Sequence, residues 1–551
     1  MTTAQGSPVR IAIIGGGISG LAVAYYLQQR HGREPDLDIH IFERKAMVGG
    51  NADTVVVRLG RYIGDDGAPA DYLRWADLGV NDANLATYKS MKAVMADIGY
   101  LDQMQPLQDT ACFYGTDGAA LTDDAALRNG VSDPDFSLDE ADQGRIALLI
   151  KVMHQTALDL VDTIDVDYTC SRYFQDCLDD PKGMLSRAAE ALKIAIDWSD
   201  AALAARIATI RDRYYYPRIS AMYFTDDRGP EGMPLQAPFQ YYRLQEGGVT
   251  PDRRYFAHGS QTWLEALANY VVGRSNDQVR VQLHTEAPAR VRVGAQKVFV
   301  STGRAAEPER FDLCVLATHA DDARAMLHFD DAVGGTGERL DDILASVRYT
   351  RSYAVCHTAS SAMPENKNTW RTYNIPIRSA RDSLFPYRIN YVVNLHQNDP
   401  EPGAPYNAAG LPQYFVSLVT DLNQIPRQDM LDRVLEDDAL PAPLLGALPQ
   451  ATRAHLRGAE VQSGYRHEVP HLVQQLGDKA WTVFKHNVLD ADCIRAQQDM
   501  LRWNTEVAEE LLNGQRPDVP LLFGGGWTLG AGLQEQCLEQ GEKLAGWIVP
   551  L

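Results

Sequence analysis

The pattern of apolar and polar positions near the start of the chain predicts a strand, a turn and a helix. Residues Arg10 to Ile14 form a short apolar run of the kind found in buried strands. Gly15 to Gly20 is rich in glycine, and Leu21 to Gln29 has helical periodicity. Asp38 to Glu43 alternates between polar and apolar residues, which is typical of a second strand. We therefore predict a βαβ unit with a slightly long connection at 31–35.

Downstream, the pattern becomes helical, then mixed, and ends in another strand and helix. Helical periodicity dominates from about residue 82 to about 256. Strand patterns return at 279–320, and residues from about 335 to 480 mix the two kinds of element. The stretch LLFGGGWTLGAGLQEQ, which starts at Leu521, predicts a strand, a glycine turn and a final helix. This alternation predicts two interleaved domains, not a linear series.

Composition and charge change this picture mainly by excluding partners. The 551 residues are 45% hydrophobic and 23% charged, as in ordinary globular proteins. The formal net charge of -21 argues against nucleic acid, because phosphate binding needs basic clusters. The same charge disfavours adsorption to anionic lipid headgroups. We expect a small-molecule substrate as the partner, and the sequence leaves open whether the chain forms a homodimer.

Cysteine usage and the N-terminal segment bear on location. The seven dispersed cysteines contain no CxxC pair and fit reduced thiols better than a disulfide framework. The start, MTTAQGSPVR, has no apolar region of the kind found in signal peptides. The most apolar stretch, Ile11 to Leu27, is interrupted by glycines and is shorter than the roughly 20 residues that a span needs. We therefore expect a cytoplasmic protein without an integral membrane segment.

The first glycine cluster is a GxGxxG motif between the predicted strand and helix. Gly15 allows a sharp turn, Gly17 lets the backbone approach a pyrophosphate, and Gly20 lets the helix pack against the strand. The N–H groups at the start of the helix, near Ser19, favour an anion. Glu43 ends the second strand, where a carboxylate can accept hydrogen bonds from ribose hydroxyls and would repel a 2′-phosphate. The motif predicts a dinucleotide site that disfavours NADP.

The residues after Glu43 distinguish FAD from NAD by resemblance. The stretch ERKAMVGGNADT contains Arg44, the glycine pair Gly49 and Gly50, and Asn51. It resembles the flavin-containing amine oxidase superfamily, in which a second glycine pair follows the ribose-binding glutamate and passes under the middle of an extended FAD. The resemblance implies that the cofactor is FAD and that these residues contribute to its binding.

The same resemblance recurs in two later segments. HTEAPARV, at 284–291, resembles the strand whose backbone meets the adenine, which implies a contact from Ala287. The segment from Leu521 resembles the C-terminal flavin motif and implies contacts from Gly525, Gly526, Trp527 and Leu533. The two glycine clusters are then two sides of one FAD site, with a second nucleotide site as the alternative. Gly526 departs from the superfamily, which usually has an acidic residue there.

The resemblance also implies a fold class and a division into domains. CHTASSAMPENKNTWRTYN and FKHNVLDADCIRAQQ resemble landmarks of a bacterial branch of predicted FAD-dependent dehydrogenases. The implied fold is α/β, with a Rossmann-type FAD-binding domain interleaved with a mixed α+β substrate domain. The expected FAD-binding segments are 1–80, 257–330 and 481–551. The expected substrate-domain segments are 81–256 and 331–480, with a helical lid at about 140–215.

Few residues are candidates for catalysis, because the flavin supplies the redox chemistry. The backbone amides of Leu533, Gln534 and Glu535 open the last helix and could stabilise negative charge on the flavin. For Glu535 a purely structural role at the helix start is the alternative. His486 matches a histidine landmark of the branch and is a candidate substrate-site residue, with a structural histidine as the alternative. Arg351 falls near the position of the lysine that serves oxygen activation in amine oxidases, so fast oxidase activity is not expected.

One further motif suggests a different chemistry. His467 to His471 spells HExxH, the pattern of zinc proteases. That motif requires a helix that places both histidines on one face. Pro470 lies inside the required turn and disfavours helical geometry at the residue before it. We therefore predict no metal site here.

The sequence predicts an FAD-dependent oxidoreductase that removes a hydride from a C–N or activated C–C bond of a small organic substrate. Two alternatives remain. The first is a redox-neutral isomerase or a desaturase acting on an apolar, lipid-like substrate. The second is a non-catalytic, FAD-stabilised scaffold protein. Fold alone does not distinguish these functions.

Overall fold

The computed structural model describes residues 8–30, 36–63, 66–108, 110–114, 120–123, 140–223, 229–246, 250–303, 307–376, 389–397, 413–434 and 464–548, so parts of both predicted domains lie outside these ranges. The strands are β1 (Val9–Ile14), β2 (Leu37–Phe42), β3 (Thr54–Ile63), β4 (Pro69–Asp77), β5 (Asp82–Asn84), β6 (Met104–Pro106), β7 (Ala111–Tyr114), β8 (Ala120–Asp123), β9 (Arg253–Phe256), β10 (Val279–His284), β11 (Ala289–Gly294), β12 (Lys297–Thr302), β13 (Glu309–Phe311), β14 (Leu313–Leu316), β15 (Leu327–Phe329), β16 (Tyr349–His357), β17 (Tyr373–Pro376), β18 (Ile389–Val392), β19 (Phe415–Val419), β20 (Trp481–Asn487) and β21 (Leu521–Phe523).

The α-helices are α1 (Ile18–Arg30), α2 (Lys89–Asp97), α3 (Glu140–Leu160), α4 (Cys170–Asp179), α5 (Pro181–Leu192), α6 (Leu203–Ile210), α7 (Tyr216–Tyr223), α8 (Gln236–Glu246), α9 (Ser260–Gly273), α10 (Ala320–Met326), α11 (Thr336–Ser346), α12 (Val393–His396), α13 (Pro470–Leu476), α14 (Ala491–Leu512) and α15 (Gln534–Ile548). A π-helical turn, Arg211–Tyr215, joins α6 to α7.

A five-stranded parallel sheet, in the order β10-β2-β1-β14-β21, contains the predicted βαβ unit. β1 is central and pairs with β2 on one side and β14 on the other. A second sheet, in the order β13-β12-β11-β15, packs against it. Strands of a parallel sheet, such as the five-stranded one, are usually covered on both faces and are therefore apolar along most of their length. The predicted strand, turn and helix at the start of the chain are confirmed.

The alternation in β2 does not mark an exposed face, because every residue of this strand is buried. Its polar residues form an internal network instead. His40 Nε2 lies 3.1 Å from Asp38 Oδ2, and Arg10 Nε donates to the same oxygen at 3.3 Å. Gln282 Nε2 donates to Asp38 Oδ1 at 3.2 Å. The buried polar groups are thus satisfied partly within β2 and partly by side chains from the neighbouring strands β1 and β10.

The two ends of the chain meet in this first sheet. β21 pairs with β14 in parallel, with Leu521 opposite Cys314. α15 packs so closely on α1 that a Cβ atom at Gly541 would lie 2.5 Å from Cβ of Ala22. A side chain at residue 541 would therefore separate the two helices. The final strand and helix predicted from LLFGGGWTLGAGLQEQ are confirmed as neighbours of the first strand and helix.

A second region of the molecule is organised around a seven-stranded sheet in the order β20-β16-β19-β18-β17-β7-β8. Helices α3 to α8 lie in the part of the chain where helical periodicity predicted them. The same part also contains the short strands β5 to β9, which the helical interpretation missed. Their partners are distant: Cys112 of β7, for example, pairs with Asn374 of β17. Strands of three or four residues carry too little pattern to be recognised locally.

Membrane and disulfide predictions can be compared with the described residues. None of the helices in the described ranges combines the length and the apolar character that crossing a membrane requires. All seven cysteines fall within the described residues, are buried and form no disulfide. The dispersed cysteine spacing is explained by burial of each thiol in the core.

Candidate functional site

One cavity of about 990 Å³ runs along the end of the five-stranded sheet and reaches the face of the seven-stranded sheet. Both glycine clusters line it, the first through Gly15 and Gly17 and the second through Gly526 and Gly532. This arrangement follows from the neighbouring positions of β1, β14 and β21. The glycines therefore belong to one site, as expected from the resemblance.

The predicted binding residues divide into those that line the cavity and those that support it. The cavity is lined by Gly15, Gly17, Ser19, Glu43, Arg44, Gly49, Gly50, Asn51, Ala287, Gly526, Trp527, Leu533 and His486. Gly20, Gly525, Glu535 and Arg351 do not line it. Ala287 lies in the connection between β10 and β11, not in a strand, and its N–H donates to the carbonyl oxygen of Glu43 at 2.8 Å.

The first glycine turn is held by close backbone contacts. A Cβ atom at Gly20 would lie 2.0 Å from the carbonyl oxygen of Gly15, so only glycine permits α1 to start here. A Cβ atom at Gly17 would meet only backbone atoms of Gly50, with Cα at 3.5 Å and N at 3.8 Å. The space in front of these two glycines is therefore a cradle of backbone atoms at the N-terminus of α1. Such a cradle fits a pyrophosphate.

Glu43 is positioned by two backbone donors. The N–H of Gly16 donates to Glu43 Oε2 at 2.8 Å, and the N–H of Lys45 donates to Oε1 at 2.9 Å. The buried carboxylate retains acceptor capacity for hydroxyl groups in the cavity. Lys45 also lines the cavity, with Nζ donating to the carbonyl oxygen of Gly50 at 2.8 Å. Burial lowers the pKa of Lys45, and the nearby Glu43 opposes this shift.

The second glycine cluster combines one crowded position with one open position. A Cβ atom at Gly525 would lie 2.0 Å from the carbonyl oxygen of Thr318, whereas one at Gly526 would approach nothing closer than Gly532 Cα, at 3.5 Å. A Cβ atom at position 526 would therefore not clash with its neighbours. Steric conflict does not explain why this chain lacks the acidic residue that the superfamily usually has there. Trp527 is 1% exposed, and no protein acceptor contacts its Nε1.

The start of α15 corrects one prediction. Glu535 is buried and turns away from the cavity: its Oε1 accepts from the N–H of Ser90 at 2.8 Å and its Oε2 from that of Met91 at 2.9 Å. It therefore stabilises the N-terminus of α2, which argues against the predicted catalytic role. The N–H of Leu533 donates to Gln536 Oε1 at 3.1 Å. Gln534 remains at the cavity wall, where Trp263 Nε1 donates to its Oε1 at 2.8 Å.

His486 and Arg351 lie on adjacent strands but in different surroundings. His486 lines the cavity, and its Nδ1 donates to the carbonyl oxygen of Asn487 at 2.8 Å. Burial lowers the pKa of His486, so the ring is neutral near pH 7. The Arg351 side chain is 53% exposed and forms an ion pair with Glu468, which argues against its predicted place beside the flavin. Its cross-strand neighbour Lys485 lines the cavity instead.

Lys485 belongs to a charged cluster that the sequence did not suggest. Its side chain is 1% exposed, and Nζ lies 2.5 Å from Asp321 and 3.4 Å from Glu468. His319, Asp321 and Asp322 are close enough to one another to hold a metal ion. The Lys485 ammonium already supplies the positive charge there. Burial lowers the pKa of His319 to about 3, with the Asp322 charge opposing the shift.

The HExxH segment does not form one helix. Arg466–Glu468 is a 3-10 turn, and α13 begins only at Pro470, where the sequence predicted a break. His467 and His471 are therefore not arranged on one helical face. Glu468, between them, is occupied by the ion pairs with Arg351 and Lys485.

The far half of the cavity lies against the seven-stranded sheet. Its wall contains the side chains of Phe113, Ile375, Ile389, Tyr391, Leu418 and Phe484. Three charged residues also line this half: Asp82, Arg218 and Arg253. Sequence reasoning identified none of these residues, because they come from separate strands and helices and form no motif. Lys45 and Lys485, by contrast, are the sequence neighbours of two predicted residues, Arg44 and His486.

Comparisons with known proteins identify the class of the first domain. A family model described as an NAD(P)-binding Rossmann-like domain matches residues 13–80. The predicted dinucleotide-binding unit is thus confirmed. Prenylcysteine oxidase 1 of Homo sapiens and that of Pongo abelii are each 47% identical over 55 residues. The match spans 10% of this chain and about a tenth of the length of these relatives.

Comparisons with solved structures extend over the whole chain. A putrescine oxidase variant has a TM-score of 0.50 and 13% identity, with 98% of this chain and 99% of that chain covered. A CLA-producing fatty acid isomerase from P. acnes has a TM-score of 0.50 and 15% identity, with 98% of both chains covered. At these identities the likeness shows the fold alone. The protein therefore has the predicted α/β fold, shared with these two structures, and residues 13–80 form a Rossmann-type dinucleotide-binding unit.

Proposed function

We propose that the protein is an FAD-dependent oxidoreductase that removes a hydride from a small organic substrate. The observation that carries this proposal is the single cavity lined by both glycine clusters and by Glu43. The same cavity continues into a far half with a mostly apolar wall, where a substrate would lie beside the cofactor. The expected division into FAD-binding segments 1–80, 257–330 and 481–551 and substrate segments 81–256 and 331–480 is part of the proposal.

The residues that line the first half of the cavity fit FAD. In our proposal the glycine cradle at Gly17 and Gly50 receives the pyrophosphate, with the Lys45 ammonium as its nearest positive charge. Glu43 accepts hydrogen bonds from the ribose hydroxyls. Arg44, Asn51 and Ala287 line the same half. Trp527 and the first residues of α15 border the flavin end, where the indole N–H has no protein acceptor.

When bound, FAD would supply two-electron hydride chemistry, and the protein would supply orientation and electrostatics. The start of α15 would favour negative charge at the flavin end. His486, neutral near pH 7, would border the substrate, with its Nδ1 bonded to the carbonyl oxygen of Asn487. Lys485 and its carboxylate partners would hold β20 against α10 at the cofactor half. In this proposal Arg351 and Glu535 take no part in the reaction, because their side chains are held by Glu468 and by the N-terminus of α2.

The experiment that tests the proposal is visible absorption of the purified protein with FAD, followed by anaerobic titration with candidate substrates. Flavin bands that one class of compound bleaches would support an oxidoreductase and name its substrate. The absence of flavin bands, even after addition of FAD, would contradict the proposal. Flavin bands that no compound bleaches would leave two alternatives, the scaffold protein and the isomerase, which product analysis distinguishes.

The isomerase or desaturase alternative is favoured by one observation, the apolar wall of the far half of the cavity. An apolar chain would be bound there without polar contacts. An isomerase returns the hydride to the same molecule, so the flavin shows no net reduction. Product analysis after incubation with an unsaturated lipid would identify this reaction even when no bleaching occurs.

A further inference from the structure

His319 lies between the two glycine clusters, just beyond the end of β14. The backbone that leads to it touches both clusters. A Cβ atom at Gly15 would lie 2.6 Å from the carbonyl oxygen of Ala317, and one at Gly525 would lie 2.0 Å from that of Thr318. Ala317, Thr318 and His319 all line the cavity. This segment therefore borders the cofactor half of the cavity between the two clusters.

The imidazole ring of His319 is held in place by two tyrosines. Its centroid lies 5.0 Å from that of Tyr465, with an angle of only 11° between the ring planes, and 4.9 Å from that of Tyr349. The Lys485 ammonium packs against the same two tyrosines, 4.6 Å from the Tyr465 centroid and 5.0 Å from the Tyr349 centroid. These contacts restrict the orientation of the imidazole.

One ring nitrogen of His319 belongs to a hydrogen-bonded chain that starts at a charged pair. Asp322 Oδ1 lies 3.2 Å from Arg44 Nη1. Burial opposes ionisation of Asp322, but Arg44 and Lys485 hold its pKa below the ordinary value. The hydroxyl of Tyr465 donates to Asp322 Oδ2 at 3.1 Å, and the same hydroxyl oxygen lies 2.6 Å from His319 Nδ1.

This chain determines the tautomer of the imidazole. Tyr465 has a single hydroxyl proton, which it can donate to only one of its two neighbours. If the proton pointed to His319 Nδ1, the Asp322 carboxylate would face the tyrosine oxygen with no proton between them. With the proton directed to Asp322, the Nδ1–H of His319 donates to the tyrosine oxygen, and both contacts are satisfied. The other nitrogen, Nε2, then carries a lone pair and acts as an acceptor.

The lone pair on Nε2 is available to a ligand in the cavity. Among the residues that the structure describes, none bonds to this nitrogen, and the His319 side chain is 16% exposed. Burial lowers the pKa of His319 to about 3, against the effect of the Asp322 charge, so the ring is neutral near pH 7. An unprotonated nitrogen would repel a phosphate oxygen, whereas a hydroxyl group can donate to it.

We propose that His319 is a cofactor-binding residue whose Nε2 accepts a hydrogen bond from a hydroxyl group of FAD. FAD carries such hydroxyls on the adenosine ribose and on the ribityl chain. Asp322 and Tyr465 are positioning residues, because they act through the imidazole. The inference rests on the proposed function, since it adds a binding residue for the same cofactor. No motif in the sequence indicates this role, because the chain of hydrogen bonds joins segments about 140 residues apart.

Fluorescence titration with FAD tests the inference on the wild-type protein and on variants. His319→Phe keeps an aromatic ring and removes the acceptor, so FAD should bind roughly threefold to tenfold more weakly, as for the loss of a neutral hydrogen bond. His319→Gln should stay within about twofold of wild type, because its amide oxygen can replace Nε2 as the acceptor. His328→Phe is the matched control, since His328 is exposed on β15 and does not line the cavity. Equal FAD affinity of His319→Phe and the wild-type protein would overturn the inference.

Two fragments of the cofactor identify the hydroxyl group. AMP contains the ribose and FMN contains the ribityl chain, and calorimetry measures the binding of each. If a ribose hydroxyl is the donor, His319→Phe should bind AMP more weakly and FMN as tightly as the wild-type protein does. If a ribityl hydroxyl is the donor, the reverse is expected. Unchanged affinity for both fragments would contradict the assignment.

The tautomer provides a readout that a purely structural histidine would not change. In nitrogen NMR spectra of histidine-labelled protein, His319 should be protonated at Nδ1, and its Nε2 resonance should shift when FAD is added. The signal is assigned by its absence in His319→Gln. Tyr465→Phe keeps the ring and removes the hydroxyl, so we expect protonation of Nε2 to appear and FAD to bind more weakly. An Nε2 resonance that FAD leaves unchanged would contradict the inference.

The outcomes separate this inference from the proposed function. A wild-type protein that binds no FAD would overturn both. A wild-type protein that binds FAD, with the same affinity in His319→Phe, keeps the proposed function and loses the inference. If His319→Phe fails to fold by circular dichroism, the response of the wild-type Nε2 resonance to FAD still decides.

Discussion

The two halves of the cavity are built from different parts of the chain. The cofactor half is made largely of backbone: glycines 15, 17, 50 and 526, with one carboxylate held by backbone N–H groups. The far half is made of side chains from β7, β17, β18, β19 and β20 and from α7. Where two backbone segments are in close contact, an added side-chain atom cannot be accommodated, whereas the side chains of a wall can repack around a substitution. Substitutions in the two halves should therefore differ in both size and kind of effect.

The largest effect is expected at Gly525. In Gly525→Ala the new Cβ would lie 2.0 Å from the carbonyl oxygen of Thr318, so β14 and β21 would have to separate. We expect the free energy of unfolding to fall by at least about 4 kcal/mol, with loss of bound flavin. Gly526→Ala is the control and should cost less than about 1 kcal/mol, since its Cβ meets nothing closer than 3.5 Å. Denaturant unfolding of both variants checks this. Equal stability would show that the two glycines are equivalent.

The next effect concerns Asp77, which lies behind the cofactor half. It accepts hydrogen bonds from Thr54 Oγ1 at 2.6 Å and from the N–H of Ser260 at 2.9 Å. Burial raises its pKa to about 7, against the opposing effect of these hydrogen bonds. The folded protein therefore binds more protons than the unfolded chain between about pH 4 and 7, so its stability falls as pH rises through this range.

The test is the pH dependence of unfolding in Asp77→Asn. This variant keeps the acceptor oxygen and cannot titrate. The wild-type protein should lose about 3 kcal/mol relative to Asp77→Asn between pH 4 and 7. Asp102→Asn, an exposed carboxylate, should leave the wild-type profile unchanged. Parallel profiles for wild type and Asp77→Asn would contradict the raised pKa.

A smaller effect is expected at Glu535, where the question is whether the carboxylate is structural or catalytic. Glu535→Gln weakens the interaction with the N-terminus of α2, so the free energy of unfolding should fall by about 1 kcal/mol. Flavin binding and the rate of flavin reduction should stay within about twofold of wild type. Glu539→Gln, at an exposed position of the same helix, is the control. A hundredfold slower reduction at unchanged stability would restore Glu535 as a catalytic residue.

The smallest effect is expected in the wall of the far half. Ile389→Val removes one methylene group from the chamber and should destabilise the protein by about 1 kcal/mol. We expect unchanged FAD affinity and about fourfold weaker binding of an unsaturated lipid that contacts this wall. Ile343→Val, in α11 and away from the cavity, should cost similar stability and leave the binding of this lipid unchanged. Altered FAD affinity in Ile389→Val would mean that the two halves are not independent.

The same contrast explains which predictions from the sequence succeeded. Gly15, Gly17 and Glu43 were predicted from their spacing within one strand–turn–helix unit, and all three line the cavity. Arg351 was placed beside the flavin from its position along the chain, but its side chain is 53% exposed and is held by Glu468 outside the cavity. Lys485, its neighbour across the ladder, lines the cavity.

The sequence by itself determined the dinucleotide-binding unit at the start of the chain, because a turn, a cap or a close backbone approach requires a particular residue at a particular place. The return of the last strand to the first, and the single site that joins the two glycine clusters, were implied only by the family resemblance, and the tertiary structure decided between one site and two. Only the tertiary structure decided that Glu535 stabilises α2 and that Arg218 and Asp82 border a common chamber. These residues are brought together by packing between segments hundreds of positions apart, and contacts at such distances leave no pattern in the residues next to them.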